Sequence, residues 1–467
     1  MTTKQCDLIV IGAGPAGMAA ALKATQHGAH VILLDEQPTA GGQIYRNVTH
    51  ASSRQATILG ADFTEGLSLT NGLDQSSVDH RAGVTVWQVG QDGSVAYSKD
   101  GAARQLRAKH ILLATGAIER PVPLPGWTLP GVMTAGAAQI LLKSGGLVAE
   151  GAVLVGSGPL MYLIAAQMLA AGAPPKALVE TQSFSDLRGA MVHLGGAIRG
   201  WRQLVKGLGL IAKLKLAGVP RYTGASDIEI IGEAIVEAIS FKSGGQTHQI
   251  ETDTVLLHLG VVPNTQITRA LGMAHRYDAA QRCFHPVSDN YGQTSLPQIS
   301  VAGDGSGIAG AKAAVLSGKI AALNALFAMG RIDVSAREAA CAPLLRKRTR
   351  ETAIRPFLDR AYAPPDNILR PADATIICRC EEVTAGDIRR FASLGCKGPN
   401  QAKAFSRAGM GPCQGRYCGL TVTEILAAET GQTQDETGAY RIRSPIKPVT
   451  LGELAALSPS EKENSST

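Results

Sequence analysis

Aromatic residues are scarce in this chain: Phe, Trp and Tyr together make up 4% of its 467 residues. Few rings are available for bases to stack on and no nucleic-acid motif is present, so no nucleic-acid partner is expected despite a formal charge of +7. Long apolar runs are lacking too. No stretch of about 18 apolar residues stands out, and no transmembrane segment is expected. The opening residues carry no basic segment followed by an apolar one and run almost directly into Asp7-Leu8-Ile9-Val10-Ile11. A secretory signal is therefore not expected. Cysteine is sparse, eight in all at irregular spacing, which argues against a disulfide framework. No Cys-x-x-Cys occurs, and Cys6, Cys283 and Cys341 are isolated, so dithiol chemistry is not expected. These absences point to a cytoplasmic location.

What is present is glycine and aliphatic bulk. The length predicts about three domains. An apolar fraction of 45% with 53 glycines suits an α/β chain with large cores and many tight turns. Leu8-Ile9-Val10-Ile11 reads as a buried strand, and Gly12-Ala13-Gly14-Pro15-Ala16-Gly17 then opens an alanine-rich helix. This is G-x-G-x-x-G in its strand–turn–helix setting: Gly12 for the turn, Gly14 for approach to a pyrophosphate, Gly17 for close packing of helix on strand. The phosphates would rest on the helix N-terminus. A second strand, His30-Val31-Ile32-Leu33-Leu34, ends at Asp35-Glu36, where a carboxylate can accept ribose hydroxyl protons. Further on come Ile111-Leu112-Leu113-Ala114-Thr115-Gly116 and Ile299-Ser300-Val301-Ala302-Gly303-Asp304. With Gly41-Gly42-Gln43, these resemble the motifs of two-dinucleotide-domain flavoproteins over roughly residues 5–330. The resemblance implies FAD, with Asp304 on the ribitol and Gly42 and Gln43 near the isoalloxazine.

A second fingerprint follows. Val153-Leu154-Val155 leads into Gly156-Ser157-Gly158-Pro159-Leu160-Met161, and Leu178-Val179-Glu180 supplies the next strand and its acid. Met161 stands where the third glycine belongs, a bulk that pushes helix from strand and disturbs the phosphate seat. Glu180 would repel a 2′-phosphate. Three readings stay open: a working NAD site, an adenine-nucleotide site without redox use, and a vestigial scaffold. His258, in an apolar strand, reads as a core histidine. Residues 182–225 then hold seven Arg or Lys against one acid, Asp186, which is six of the chain's seven net charges. Leu194, Ile198, Trp201, Val205 and Leu208 recur at helical spacing, with Arg199, Arg202 and Lys206 on another face. A surface helix packed on its own domain, a partner interface and a membrane-surface helix all fit this pattern.

Near the C-terminus stand Cys378-Arg379-Cys380 and, 32 residues on, Cys413 and Cys418. Thiolates select zinc, copper(I) or iron–sulfur clusters. The Cys-x-Cys start resembles the bacterioferritin-associated-ferredoxin-like domain, which implies a 2Fe–2S cluster on Cys378, Cys380, Cys413 and Cys418. That family commonly ends in Cys-x-x-Cys, whereas this chain has four residues between the second pair. Structural zinc remains open, since four thiolates satisfy it equally. Cys396 lies between the pairs and is not expected to be a ligand.

Taken together, Gly41-Gly42-Gln43-Ile44-Tyr45-Arg46, Ala114-Thr115-Gly116-Ala117-Ile118-Glu119-Arg120-Pro121, Arg407-Ala408-Gly409-Met410-Gly411-Pro412-Cys413 and Pro448-Val449-Thr450-Leu451-Gly452-Glu453-Leu454 are specific. They resemble the A (or α) subunits of opine oxidases and D-hydroxyproline dehydrogenases and the FAD subunit of hydrogen cyanide synthase. The resemblance implies an FAD-containing β subunit that binds the amino-acid substrate, a small third subunit, peripheral membrane association and a respiratory electron acceptor. The fold expected is two Rossmann-like domains of the pyridine nucleotide-disulfide oxidoreductase type plus a small helical 2Fe–2S domain. Its divisions are 1–145 with 265–335 for FAD, 146–264 for the second nucleotide, 336–375 as connector, 376–430 for the cluster and 431–467 as a C-terminal segment. The tail from Ser458 is expected to be disordered.

Overall fold

In the computed structural model, which describes residues 5–457, strand Gln5–Ile11 lies between Val31–Leu34 and Ala102–Leu113, parallel to both. Leu8, Ile9 and Val10 are wholly buried, as a parallel strand covered on both faces requires. Asp79–Arg81 extends the sheet on one side, Ile299–Val301 pairs with the end of Ala102–Leu113, and the antiparallel strands Ser94–Lys99 and Thr85–Val89 complete seven. Ile11 pairs with Leu34, so Gly12 and Asp35 leave the sheet side by side. The fold class is therefore as expected from the sequence.

Helices Pro15–Thr25 and Ala311–Ala328 cross closely over this sheet, at a point where a Cβ on Gly318 would lie 2.0 Å from the Ala16 carbonyl oxygen. Helix Ala311–Ala328 is the one described helix that resembles a membrane span. By length and composition it is apolar enough to cross a membrane, yet more than half of it is buried, Ile320 to Leu326 throughout. Lys312, Ser317, Lys319 and Asn324 interrupt the run and hide it from a reading of unbroken apolar stretches.

The second sheet orders Arg221–Thr223, Ala177–Glu180, Val153–Ser157, Val255–Leu259 and Val132–Thr134, all parallel. Val132–Thr134 pairs into this sheet and leads into helix Ala135–Gly145, so the second domain begins before the expected residue 146. A three-residue strand is too short to carry a readable alternation. The antiparallel pair Ala117–Glu119 and Val261–Pro263 joins the two domains.

The expected connector is helical. Val334–Thr352 is capped by Asp333, whose side chain accepts from the Ala336 amide at 2.8 Å, and it continues through Pro343. Cys341 on it is buried in the core shared with helix Ala311–Ala328. The expected boundary at residue 430 also moves. Tyr440, Ile442 and Ile446 lie in one apolar cluster with Cys418, Val422 and Ile425, and the Ile446 amide donates to the Trp87 carbonyl at 2.9 Å. The stretch 431–457 thus completes the cysteine domain and fastens it to the first sheet. The tail from Ser458 lies outside the described residues.

Candidate functional site

The first fingerprint is built by close backbone contact. A Cβ on Gly12, whose φ is +104°, would meet the Ala114 carbonyl oxygen at 2.4 Å; one on Gly17 would meet the Gly12 oxygen at 1.8 Å. Gly42 (φ +61°) rests on Gly14, where a Cβ would come within 2.7 Å of the Gly14 Cα, and the Gly41 amide donates to the Ala13 oxygen at 2.8 Å. The loop expected beside the flavin is therefore seated directly on the phosphate turn. Thr115 donates its hydroxyl to the Asn264 carbonyl at 3.0 Å, and the Asn264 amide returns a bond to Gly116 at 2.9 Å. Gly303 approaches Ala16, and Asp304 accepts from the amides of Ala309 (2.9 Å) and Gly310 (3.1 Å) just before helix Ala311–Ala328. Two helix N-termini, Pro15 and Ala311, thus converge with Gly42, Gln43, Thr115, Gly116, Gly303 and Asp304 on one cradle. Its bare backbone fits the pyrophosphate and ribitol of FAD.

The acids at the end of the second strand behave differently from each other. Asp35 is buried and accepts from the amides of Ala13 and Gln37, so it anchors the turn from the ribose position, and burial pushes its carboxyl upward. Glu36 turns outward to Lys447, whose ammonium lies 2.9 and 3.0 Å from its two oxygens. Lys143 was not legible from the sequence. Its buried ammonium donates to the Gln43 carbonyl (3.0 Å) and to Gln139 Oε1 (2.9 Å), and burial brings its pKa down to about 7. It holds the flavin-side loop from the second domain.

Gly17→Ala tests the cradle. An overlap of Cβ and carbonyl oxygen at this distance costs more than the ~1.4 kcal/mol that separates tenfold in affinity. The variant is expected to purify with FAD occupancy lowered roughly tenfold or more, read as flavin absorbance per chain. Full occupancy would mean that the helix can retreat and that the close contact is not required.

The second fingerprint keeps its turn but not its ribose acid. Gly156 and Gly158 have φ of +133° and +121°, and Met161 is fully buried in the core beneath the helix. The Glu180 carboxylate, the candidate acid for a second nucleotide, is fully buried and already engaged. Arg221 donates to both of its oxygens, from Nε at 2.6 Å and Nη2 at 2.9 Å. Tyr162 adds its hydroxyl at 3.0 Å, and Gln182 bonds to both Tyr162 and Glu180. His258 is buried and lies 2.6 Å from Glu119, whose other oxygen accepts from the Gly136 amide. It is a satisfied core histidine.

In the C-terminal domain the four cysteines form two pairs. The Cys418 thiol bonds to Cys378, while Cys380 lies against Cys413 and receives its amide. The Cys418 contact and the amides of Gly409, Glu381 and Cys380 draw Cys378 down to about 6 against its burial. Among the described residues no three or more His, Cys, Asp or Glu side chains are arranged to hold a metal ion. The two thiol pairs are soft donors, and Gly411 packs closely on one of them, since a Cβ there would meet the Cys380 Cβ at 2.3 Å. Tyr440 was missed from the sequence. Its ring fills a slot floored by Gly409 and Gly415, and its buried hydroxyl faces Cys418 with no hydrogen-bond partner of its own among oxygens or nitrogens. The glycines around the second cysteine pair were the available signal.

Two dinucleotide folds in tandem, the first complete and interrupted by the second, define a flavoprotein of the two-dinucleotide-domain class. A family model described as pyridine nucleotide-disulphide oxidoreductase matches residues 6–318. The C-terminal region, expected as a ferredoxin-like unit of residues 376–430, matches the sarcosine oxidase A3 domain over the longer span 373–458. The opine oxidase A-subunit of Rhizobium meliloti is 44% identical over 461 residues, covering 97% of this chain and 87% of that one. Hydrogen cyanide synthase subunit HcnB of Pseudomonas aeruginosa is 34% identical over 460 residues, covering 94% and 96%. The solved L-proline dehydrogenase of P. horikoshii shares the fold, with a TM-score of 0.70 at 20% identity over 96% of this chain and 79% of that one. The chain belongs to the opine oxidase A-subunit family, within the pyridine nucleotide-disulphide oxidoreductases.

Proposed function

We propose that this chain is the electron-transfer subunit of a multisubunit amino-acid or imino-acid dehydrogenase, with an opine, D-hydroxyproline or glycine as substrate. In this reading FAD occupies the first fold, and Cys378, Cys380, Cys413 and Cys418 hold a 2Fe–2S cluster. An FAD-containing β subunit binds the CH–NH or CH–NH2 donor, and electrons leave to a respiratory acceptor. The names of the relatives supply the substrate class: opine oxidase, hydrogen cyanide synthase and, at the level of fold, proline dehydrogenase.

The observation that carries the reading is the two thiol pairs, Cys378 with Cys418 and Cys380 with Cys413, in a domain whose apolar core is continuous with that of the FAD sheet. FAD exchanges two-electron for one-electron chemistry and an iron–sulfur cluster passes single electrons. This chain's residues supply the seats. The amides of Gly409, Glu381 and Cys380 point at the Cys378 sulfur, as suits a sulfur ligand of a cluster, and the Tyr440 hydroxyl, which faces Cys418, offers one more donor. No side chain here is assigned to substrate chemistry, which belongs to the partner.

The engaged Glu180 and the buried Met161 support a second fold that takes no part in hydride delivery. Anaerobic titration of the purified chain tests this. NADH is expected to leave the flavin band unchanged, and dithionite then to bleach flavin and cluster. Bleaching by NADH would overturn the reading in favour of a self-sufficient NADH-dependent reductase.

A further inference from the structure

Lys143 lies in the last turn of helix Ala135–Gly145 in the second domain and is 3% exposed. A lysine buried to this degree ordinarily has a carboxylate beside it. Lys143 has none among the described residues: its two polar contacts, the Gln43 carbonyl at 3.0 Å and Gln139 Oε1 at 2.9 Å, are neutral. The elements packed around it add one charged group, and of the wrong sign. Loop 43–47 brings Arg46, whose guanidinium donates to Gln43 Oε1 at 3.1 Å and repels the ammonium, while Tyr45 packs on Gly66. Helix Ala61–Thr64 presents the Phe63 ring, 5.9 Å from Nζ, and its Asp62 pairs with Lys206 instead. Helix Ser53–Leu59 offers Gln55, which donates to the Leu142 carbonyl at 3.1 Å, and its Arg54 is exposed. Helix Pro159–Ala170 offers Gln167, bonded to Gln139 at 2.8 Å and to the Leu59 carbonyl at 3.2 Å, and its Tyr162 turns to Glu180.

A clamp on one backbone carbonyl needs no charge; a glutamine would serve without burying an unpaired cation. A cation fixed in dry surroundings acts most strongly where negative charge develops. The carbonyl that Lys143 holds belongs to the loop that Gly42 seats on the phosphate turn at Gly14, and protein charges near a flavin ring tune its electronics. We propose that Lys143 is the counter-charge to reduced FAD: from behind the Gln43 loop it favours the reduced flavin and takes up a proton as reduction proceeds. In that step two electrons, from the partner subunit or an added reductant, and one proton go to the flavin. A second proton goes from solvent to the Lys143 amine. Burial, which brings its pKa down to about 7, leaves part of the population neutral near that pH and able to accept it. Lys143 acts through Gln43 and is a positioning residue. The proposal rests on FAD in the first cradle with Gln43 at its isoalloxazine, and needs neither the cluster nor the substrate-binding subunit.

The test is the flavin midpoint potential of the purified full-length chain, followed by dithionite titration with redox dyes across neutral pH. Below about pH 7 Lys143 is protonated in both redox states, and one proton accompanies two electrons. Above it two protons do, so the fall in potential per pH unit is expected to double, from about 30 to about 60 mV. A proton leaving the flavin itself would bend the profile the other way. Lys143→Met is expected to abolish the steepening and to lower the potential on the acid side. Lys143→Arg, charged throughout, should restore the acid-side potential without the break. Gln139→Glu supplies the missing carboxylate and should move the break upward by about one pH unit or more, which keeps the test open if Lys143→Met loses FAD. A wild-type profile without the break, a break that survives in Lys143→Met, or one that stays in place in Gln139→Glu would overturn the proposal. A purified chain without flavin absorbance fails the cradle reading and the proposal together, whereas bound flavin without the break fails the proposal alone.

Discussion

Replacing Cys418 with serine is expected to strip the purified chain of iron and acid-labile sulfide together, with FAD per chain unchanged. Cys418 is buried at the start of helix Gly419–Thr430, its sulfur against Cys378 and facing the Tyr440 hydroxyl. A serine there keeps the approximate shape but offers a hard oxygen, on a shorter bond, where the site presents soft sulfur. A cluster needs all four ligands, so the loss should be near complete rather than a quarter. Cys396→Ser is the control: Cys396 is buried too, yet lies outside the two thiol pairs, and its removal should leave iron at the wild-type level. Iron that survives in Cys418→Ser would remove this cysteine from the ligand set. Wild-type protein with zinc and no sulfide would replace the redox reading with a structural one.

How much of the molecule is legible in its sequence depends on how local each signal is. The first cradle is legible because each part is a short motif with one steric reason: Gly12, Gly17 and Gly42 sit where a Cβ would strike backbone, and no other residue fits. The four cysteines are legible as a candidate ligand set because ligand chemistry restricts residue type, but the sequence pairs Cys378 with Cys380 and Cys413 with Cys418, whereas the structure pairs Cys378 with Cys418 and Cys380 with Cys413. What the sequence hides is non-local. Glu180 stands where a ribose acid belongs, but its partner Arg221 comes from the next parallel strand, 41 residues on, and no periodicity links them. Tyr440 lies 22 residues beyond Cys418, which its hydroxyl faces, in a stretch read only as a C-terminal segment. The basic run Arg346-Lys347-Arg348 and Pro364-Pro365 read as a connector, although helix Val334–Thr352 carries the basic run and packs Cys341 against the core. The stripe of Trp201, Val205 and Leu208 was legible as helical, but only the packed structure shows that a different stripe faces inward.

The largest stability effect is expected at Arg221. Glu180 is fully buried, and Arg221→Ala removes the cation that meets both of its oxygens. Breaking a buried pair from one side leaves a charge in low dielectric, a loss of about 3–5 kcal/mol. The lower end applies here, on the order of 3 kcal/mol, because Tyr162 and Gln182 still donate to the carboxylate. Arg221 also lies over the Tyr162 ring, 5.5 Å from its centroid, so part of the loss is packing. A double-mutant cycle separates the two. In the Arg221→Ala background, Glu180→Gln should recover most of the electrostatic loss and none of the packing loss, by urea unfolding of the purified variants. FAD content should hold throughout, since Arg221 and Glu180 belong to the second sheet. If Arg221→Ala instead proves near neutral and gains reduction by NADH, the Arg221–Glu180 pair is a gate over a working nucleotide site. If it is destabilised and NADH still leaves the flavin unchanged, the pair is the structural replacement for a ligand that this fold no longer takes, and the electrons must enter from a partner subunit.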